Sequence, residues 1–239
     1  MCNTLNCAVK WRHHPACYKE CVPATFRSAA HRLRSDLWSG LVTPESFCAA
    51  LAEVAPGDRD SWLDLLWDSN EIPADAPDLP RGCVPYLPCP VACVLEGLEQ
   101  ADVTRKDVFV DVGAGLGRVA LLAHLKTGAD CIGLEIQSTL VRTAQARADQ
   151  AHLGRMRFLH GDAAETVSRV TTGTVFFLYC PFSGARLQRF LEGLQRVARA
   201  QPIRVCCIDM PPLDAAWLAR LPSISAHVDV YCSSPKWGG

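Results

Sequence analysis

Apolar residues in this chain recur in two rhythms. From residue 107 onward, short, mostly apolar runs of strand length alternate with longer stretches of helical spacing. The runs lie at 107–111, 131–135, 156–160, 174–179, 203–208 and 224–231. Helices are expected between them at 117–126, 137–152, 184–199 and 213–221, with another at 91–100 before the first strand. The helix at 117–126 is apolar nearly all round and should be deeply buried. Strands that alternate with helices predict a doubly wound, mostly parallel α/β sheet of six or seven strands. After residue 224 there is room for one good strand and a polar tail, so either the last two strands are short or one edge is open. An open edge would suit a homodimer.

The first third of the chain reads differently. Residues 1–23 show no period. Phe26, Ala29, Ala30, Leu33 and Leu37 predict a helix over 24–38, closed by Gly40. Thr43 and Pro44 start a second helix that runs to about residue 54. Asp60 is the expected cap of a third, which holds Trp62, Leu65, Leu66 and Trp67. This unit is too short to bury a core alone, so it should pack on the larger domain, with its tryptophans as core, or cover a ligand mouth. Residues 71–90 carry six prolines and form a stiff connector. The division is thus a helical, cysteine-containing extension or lid at 1–80 and an α/β domain at 81–239.

The formal net charge of −1 gives no reason to expect nucleic acid as a partner. No apolar run reaches membrane-spanning length, and no secretory signal is visible at the start, so a cytoplasmic protein without a membrane partner is expected. Thirteen cysteines then read as free thiols, with Cys131, Cys206 and Cys207 as buried packing. Cys2, Cys7, His13, Cys17 and Cys21, with His14 beside them, form the one group that could hold zinc, but their spacings are not the tight pairs of common zinc modules. No metal is therefore assigned.

The chemistry is concentrated after the first strand. Asp111 is followed by Gly113, Gly115 and Gly117, and eighteen residues further on the second run ends in Glu135. Glycines at a strand end let backbone approach a ligand closely, and an acid at the next strand end can grip a ribose. The dinucleotide fingerprint G-x-G-x-x-G is not met, because Arg118 stands three after Gly115. A carboxylate beside the loop would also repel pyrophosphate and suit a cation.

The pattern acid-x-Gly-x-Gly-x-Gly resembles motif I of the class I S-adenosylmethionine-dependent methyltransferases. The order of motifs also resembles the non-SET histone-lysine methyltransferases and their bacterial relatives. The resemblance implies S-adenosylmethionine as cofactor. It implies cofactor contacts from Asp111, Gly113, Ala114, Gly115, Glu135, Ile136, Gly161, Asp162, Ala163 and Tyr179, with Asp162 on the adenine amino group and Glu135 on the ribose. Gly117 would serve the turn, and His160 the pocket wall. Tyr86, Pro181 and Phe182 become candidates for the acceptor side; of the catalytic candidates Tyr179, Cys180 and Asp209, Tyr179 and Asp209 are the proton acceptors and Cys180 would line the acceptor pocket. Cys180 stands where amino-methylating relatives often have Asn or Asp, which argues against a nucleic-acid adenine as acceptor.

The expected activity is in-line methyl transfer to a small-molecule or peptide acceptor. A protein lysine is the alternative, and a non-catalytic cofactor- or metal-binding regulatory module is the alternative of another class.

Overall fold

The computed structural model describes residues 24–68, 73–223 and 225–233. Three helices come first: α1 (Ala24–Trp38), α2 (Pro44–Ala52) and α3 (Arg59–Trp67). The remainder runs α4 (Val91–Gln100), β1 (Val108–Val112), α5 (Arg118–Thr127), β2 (Asp130–Glu135), α6 (Ser138–Gln150), β3 (Met156–His160), α7 (Ala163–Thr166), β4 (Val175–Tyr179), α8 (Gly184–Ala200), β5 (Arg204–Ile208), β6 (Leu218–Arg220) and β7 (Val228–Ser233).

Local chemistry accounts for the helix ends. Gly40, at φ +67°, closes α1, and the Leu41 amide reaches back to Asp36 O at 2.9 Å. Thr43 and Ser46 form a reciprocal capping box at α2, with Pro44 in its first turn. The expected cap of α3 is not observed. The helix begins one residue before Asp60, and the Asp60 carboxylate accepts from the Val91 amide at 3.0 Å and pairs with Arg118 at 2.7 Å. A long-range cation outcompetes a local amide for this side chain.

The strand order is β3-β2-β1-β4-β5-β7-β6. The first five strands are parallel and the β7 pairings are antiparallel. Alternate residues of each strand feed opposite cores. Phe109, Cys131, Phe177 and Cys206 pack with the helices α1 to α6 on one face. Val110, Ile132, Phe176 and Cys207 pack with α7 and α8 on the other. The N-terminal helices have no core of their own: Phe47, Trp62 and Trp67 belong to the same cluster as Phe109 and Leu121. Their tryptophans are core, as expected.

Residues 213–221, expected as a helix, are irregular up to Trp217 and then form the edge strand β6. Leu213 and Trp217 bury into the α8 face, and their four-residue spacing imitates a helix stripe. This three-residue strand supplies the seventh member of the sheet, so of the last two strands only β6 is short; β7 runs for six residues. Among the described residues no helix is long and apolar enough to cross a membrane. The Cys/His-rich start with its zinc candidates, and the tail after Ser233, lie outside the described residues.

Candidate functional site

Strand order reverses direction between β1 and β4, which opens a crevice at the carboxyl ends of the strands. The glycine loop after β1 sits there. The amides of Gly113 and Ala114 both donate to Leu134 O, at 2.8 and 3.0 Å, which fastens the loop to the end of β2. Gly115 has φ +53°, and a Cβ on it would lie 2.2 Å from the Tyr86 ring. Gly117 has φ +78°, and its Cβ would meet the Phe158 ring at 2.5 Å. The first glycine therefore makes room at the crevice. The second lets the start of α5 pack on β3.

Three acids stand at the ends of β1, β2 and β3. Asp111 is buried and accepts from the Ala120 amide at 3.2 Å. Burial pushes its pKa up to about 7; the Ala120 hydrogen bond opposes the rise and the neighbouring Glu135 charge adds to it. Glu135 is also buried. Its Oε2 accepts from the Gly115 amide at 2.9 Å and its Oε1 from the Gln137 amide at 2.8 Å. Burial raises its pKa, against the pull of these amides. Asp162 follows β3; its Oδ1 accepts from the Ala164 amide at 3.0 Å, which caps α7, and its Oδ2 pairs with Arg186. The Gly161 amide donates to Glu135 O at 2.9 Å, tying the second and third acidic turns together.

The connector crosses this edge as a strap. Cys83 bridges Phe182 in antiparallel fashion, and Ser183 N donates to Gly82 O at 3.2 Å. Burial raises the Cys83 thiol pKa; Arg186 opposes this while Asp162 and Glu135 add to it. The thiol thus lies within electrostatic reach of both acidic turns. Further along, the Tyr86 ring covers Gly115. The Tyr86 amide and Gln137 Nε2 both donate to Asp75 Oδ1, at 3.0 and 2.7 Å, and Ala76 N donates to Gln137 Oε1 at 2.7 Å. Burial holds the Tyr86 phenol well above its ordinary pKa, so it stays neutral.

The acceptor-side candidates divide. Pro181 faces the loop, 3.0 Å from where a Gly113 Cβ would be. Phe182 is not at the surface: it is 6% exposed and packs on Phe190 at 5.3 Å between ring centres. Its apolar ring is worth more inside the α8 core than in a polar cleft. Cys180, at φ +44°, donates its thiol to Asp209 O at 3.1 Å, so it binds the end of β4 to the end of β5. Asp209, at φ +50°, pairs with His227 Nδ1 at 2.7 Å. Tyr179 ends β4, half-buried. His160 lies with Nε2 3.0 Å from Ile136 O, on the exposed side.

Four participants escaped sequence reasoning: Arg186, Gln137, Asp75 and the Trp67 indole, whose Nε1 donates to Leu116 O at 2.7 Å and steadies the loop from α3. Only Arg186 left a visible signal, a cation in the first turn of a helix, where the backbone dipole disfavours it.

Residues 109–201 match a family model described as a methyltransferase domain. These residues form a methyltransferase domain. A protein-lysine N-methyltransferase of Saccharolobus islandicus (strain REY15A) is 33% identical to it over 98 residues, 40% of this chain and 61% of that protein. A lysine N-methyltransferase of Caenorhabditis elegans, named for the ATP synthase, is 31% identical over 109 residues, 43% of this chain and 57% of the other. The chain therefore spans about three fifths of the length of these curated relatives. Among solved structures, an RNA methyltransferase from Salinibacter ruber in complex with S-adenosyl-L-homocysteine is 28% identical, with a TM-score of 0.48, covering 62% of this chain and 92% of that one.

Proposed function

We propose that this chain transfers the methyl group of S-adenosylmethionine to an amine, with a protein lysine as the acceptor class. One observation carries the cofactor half: acids stand at or just after the ends of three neighbouring strands, and one of them, Glu135, is bonded to a glycine loop whose central position has no room for a Cβ. The residues fit the group. Asp111 and Glu135 are carboxylates beside the loop, which suits a ligand bearing an ammonium and a sulfonium. Glu135, held through both oxygens by Gly115 and Gln137, is pre-aimed for a ribose. Asp162 and Ala163, in the turn after β3, are the residues we assign to the adenine. The match to a methyltransferase family model over the same strands supports this.

The lysine half rests on the two curated relatives, both of which are lysine methyltransferases by name. When bound, S-adenosylmethionine supplies an electrophilic methyl carbon. The chain's own work is to hold the acceptor in line and keep it unprotonated. Tyr179 and Asp209, at the ends of β4 and β5, are the proton acceptors proposed, with His227 as the partner of Asp209. Free thiols at Cys48, Cys83, Cys89, Cys131, Cys206, Cys207 and Cys232 suit the reducing, cytoplasmic setting expected from the sequence.

Titration calorimetry of the full chain tests the reading. S-Adenosylmethionine should bind, and Glu135→Ala should weaken it by about tenfold or more, the value of one good polar contact. Incubation with radiolabelled S-adenosylmethionine and a protein extract should place label on lysine, identified by mass spectrometry. Absence of cofactor binding by the unaltered chain would sink the enzyme assignment, and label on another residue type would move the acceptor class.

A further inference from the structure

Gln137 stands at the N-cap of α6, where a short polar side chain would ordinarily accept from the free amides of the helix. Its side chain makes no such bond. It is 6% exposed and turns instead to the strap. Oε1 accepts from the Ala76 amide at 2.7 Å, and Nε2 donates to Asp75 Oδ1 at 2.7 Å. The same Asp75 oxygen accepts from the Tyr86 amide at 3.0 Å. One side-chain amide therefore holds both ends of the segment 75–86, the far end through a single carboxylate oxygen. The backbone amide of Gln137 meanwhile donates to Glu135 Oε1 at 2.8 Å, and Glu135 Oε2 accepts from the Gly115 amide. Gly115, Glu135, Gln137, Asp75 and Tyr86 are thus linked in one chain of hydrogen bonds, whose two ends meet where the Tyr86 ring covers Gly115. Prolines at 77, 80 and 85 take three amide donors out of this segment, which makes each remaining tie count for more. Its other end is held by Val84 N on Pro181 O, at 3.4 Å, and by Ser183 N on Gly82 O, at 3.2 Å.

We propose that Gln137 is the positioning residue of the strap: it sets Tyr86 against the glycine loop and ties that placement to the acid at the end of β2. The inference rests on the S-adenosylmethionine reading above and deepens it, by naming the side chain that keeps the strap down on the crevice. Cutting Gln137 back to Ala leaves the Ala76 amide and the Asp75 carboxylate to water, which meets each of them without joining them. The segment 75–86 then loses the closure of its mouth, while its contact with residues 181–183 remains. Gln137, Asp75, Ala76 and Tyr86 belong to neither apolar core, so the opening is local and the sheet beneath it keeps its packing. A ligand lying between the loop and the strap is retained for as long as the strap stays down, so its residence shortens when Gln137 is removed.

Limited trypsin digestion of the full chain, read by mass spectrometry, tests this at two places. Arg81 is exposed within the strap and reports its opening; Arg105 and Lys106 are exposed in the turn before β1 and report the rest of the molecule. Gln137→Ala and Asp75→Ala should each speed cleavage after Arg81 by about tenfold or more relative to cleavage at 105 and 106. Gln137→Glu fills the same space but sets two acceptors against each other at Asp75, and should do the same. Because both residues serve one connection, the double variant Gln137→Ala with Asp75→Ala should be no faster than either single. A side chain that merely stabilised the fold would speed both places together. An unchanged ratio in variants that melt cooperatively overturns the proposal, as does a double variant whose effect is the product of the singles. S-Adenosyl-L-homocysteine supplies the second arm: by stopped-flow it should leave Gln137→Ala about tenfold faster than the unaltered chain. Equal rates overturn the link between Gln137 and the crevice. Should the unaltered chain not bind S-adenosyl-L-homocysteine, the cofactor reading falls, and the cleavage ratio alone decides whether Gln137 holds the strap.

Discussion

At Gly115 a single missing methyl group leaves the space that the Tyr86 ring occupies. Gly115→Ala would set a Cβ 2.2 Å from the Tyr86 ring at a φ of +53°. The expected cost is about 1–3 kcal/mol of stability, seen as a lower denaturation midpoint. Because the clash is with one ring, the penalty should shrink when the same substitution is made in a Tyr86→Ala background; equal penalties in both would show that backbone strain alone is responsible. Asp111 offers a second residue-scale test. Its folded pKa of about 7 lies above its ordinary value of 3.8. The protonated form is thus favoured in the fold, and this contribution to stability is fully present below about pH 4 and lost as pH rises through about 7. Asp111→Asn should flatten the decline in unfolding free energy across that window and make the chain more stable than the original at about pH 8; urea melts at several pH values read this directly. The glycines and acids were legible in sequence because their spacing along one strand end is itself the signal. Arg186 was not, since its partner lies 24 residues away and no local period links them.

Among the elements, helix α3 and the glycine loop are joined by one arginine. Arg118 pairs with Asp60 and Asp64, at 2.7 and 2.9 Å, and donates to Cys89 O just before α4. Burial works against its charge, but the two aspartates hold its pKa above the ordinary value. Arg118→Ala would leave both carboxylates without their cation. The expected loss is about 3 kcal/mol, at the low end for such a change because the Asp64 side chain is 43% exposed and regains water. Arg118→Lys should recover only part, since one ammonium cannot replace a fork that spans three acceptors. In the sequence this residue registered only as a departure from the dinucleotide fingerprint. Its role depends on contacts 54 and 58 residues distant. The misread helix at 213–221 has a related cause. Leu213 and Trp217 are both buried, but in an irregular segment whose spacing coincides with a helical turn. Periodicity reports which residues are inside, not the backbone path between them.

For the molecule as a whole, the strand-and-helix alternation from residue 107 onward was readable, because the central strands β1, β2, β4 and β5 are buried on both faces and the helices between them bury apolar residues at helical spacing. The relation of the first third to the rest was harder to read. A boundary near residue 80 follows from composition, yet Phe47, Leu63, Leu66 and Trp67 bury into the face formed by α4 and α5. A chain beginning at residue 81 would expose that face. It should lose its cooperative thermal transition and its near-ultraviolet dichroism, and aggregate on size-exclusion chromatography. A truncated chain that stays monomeric and melts sharply would show that the helices are a separable appendage.

The strap has a kinetic corollary. It is fastened near Pro181 at one end and through Asp75 to Gln137 at the other, with Tyr86 lying across Gly115 between them. Admission to the crevice would then wait on a local loosening of the polypeptide and not on random encounter alone. Arrival and departure of a guest should share one rate-limiting gate, whose frequency is set by a handful of hydrogen bonds and one aromatic ring.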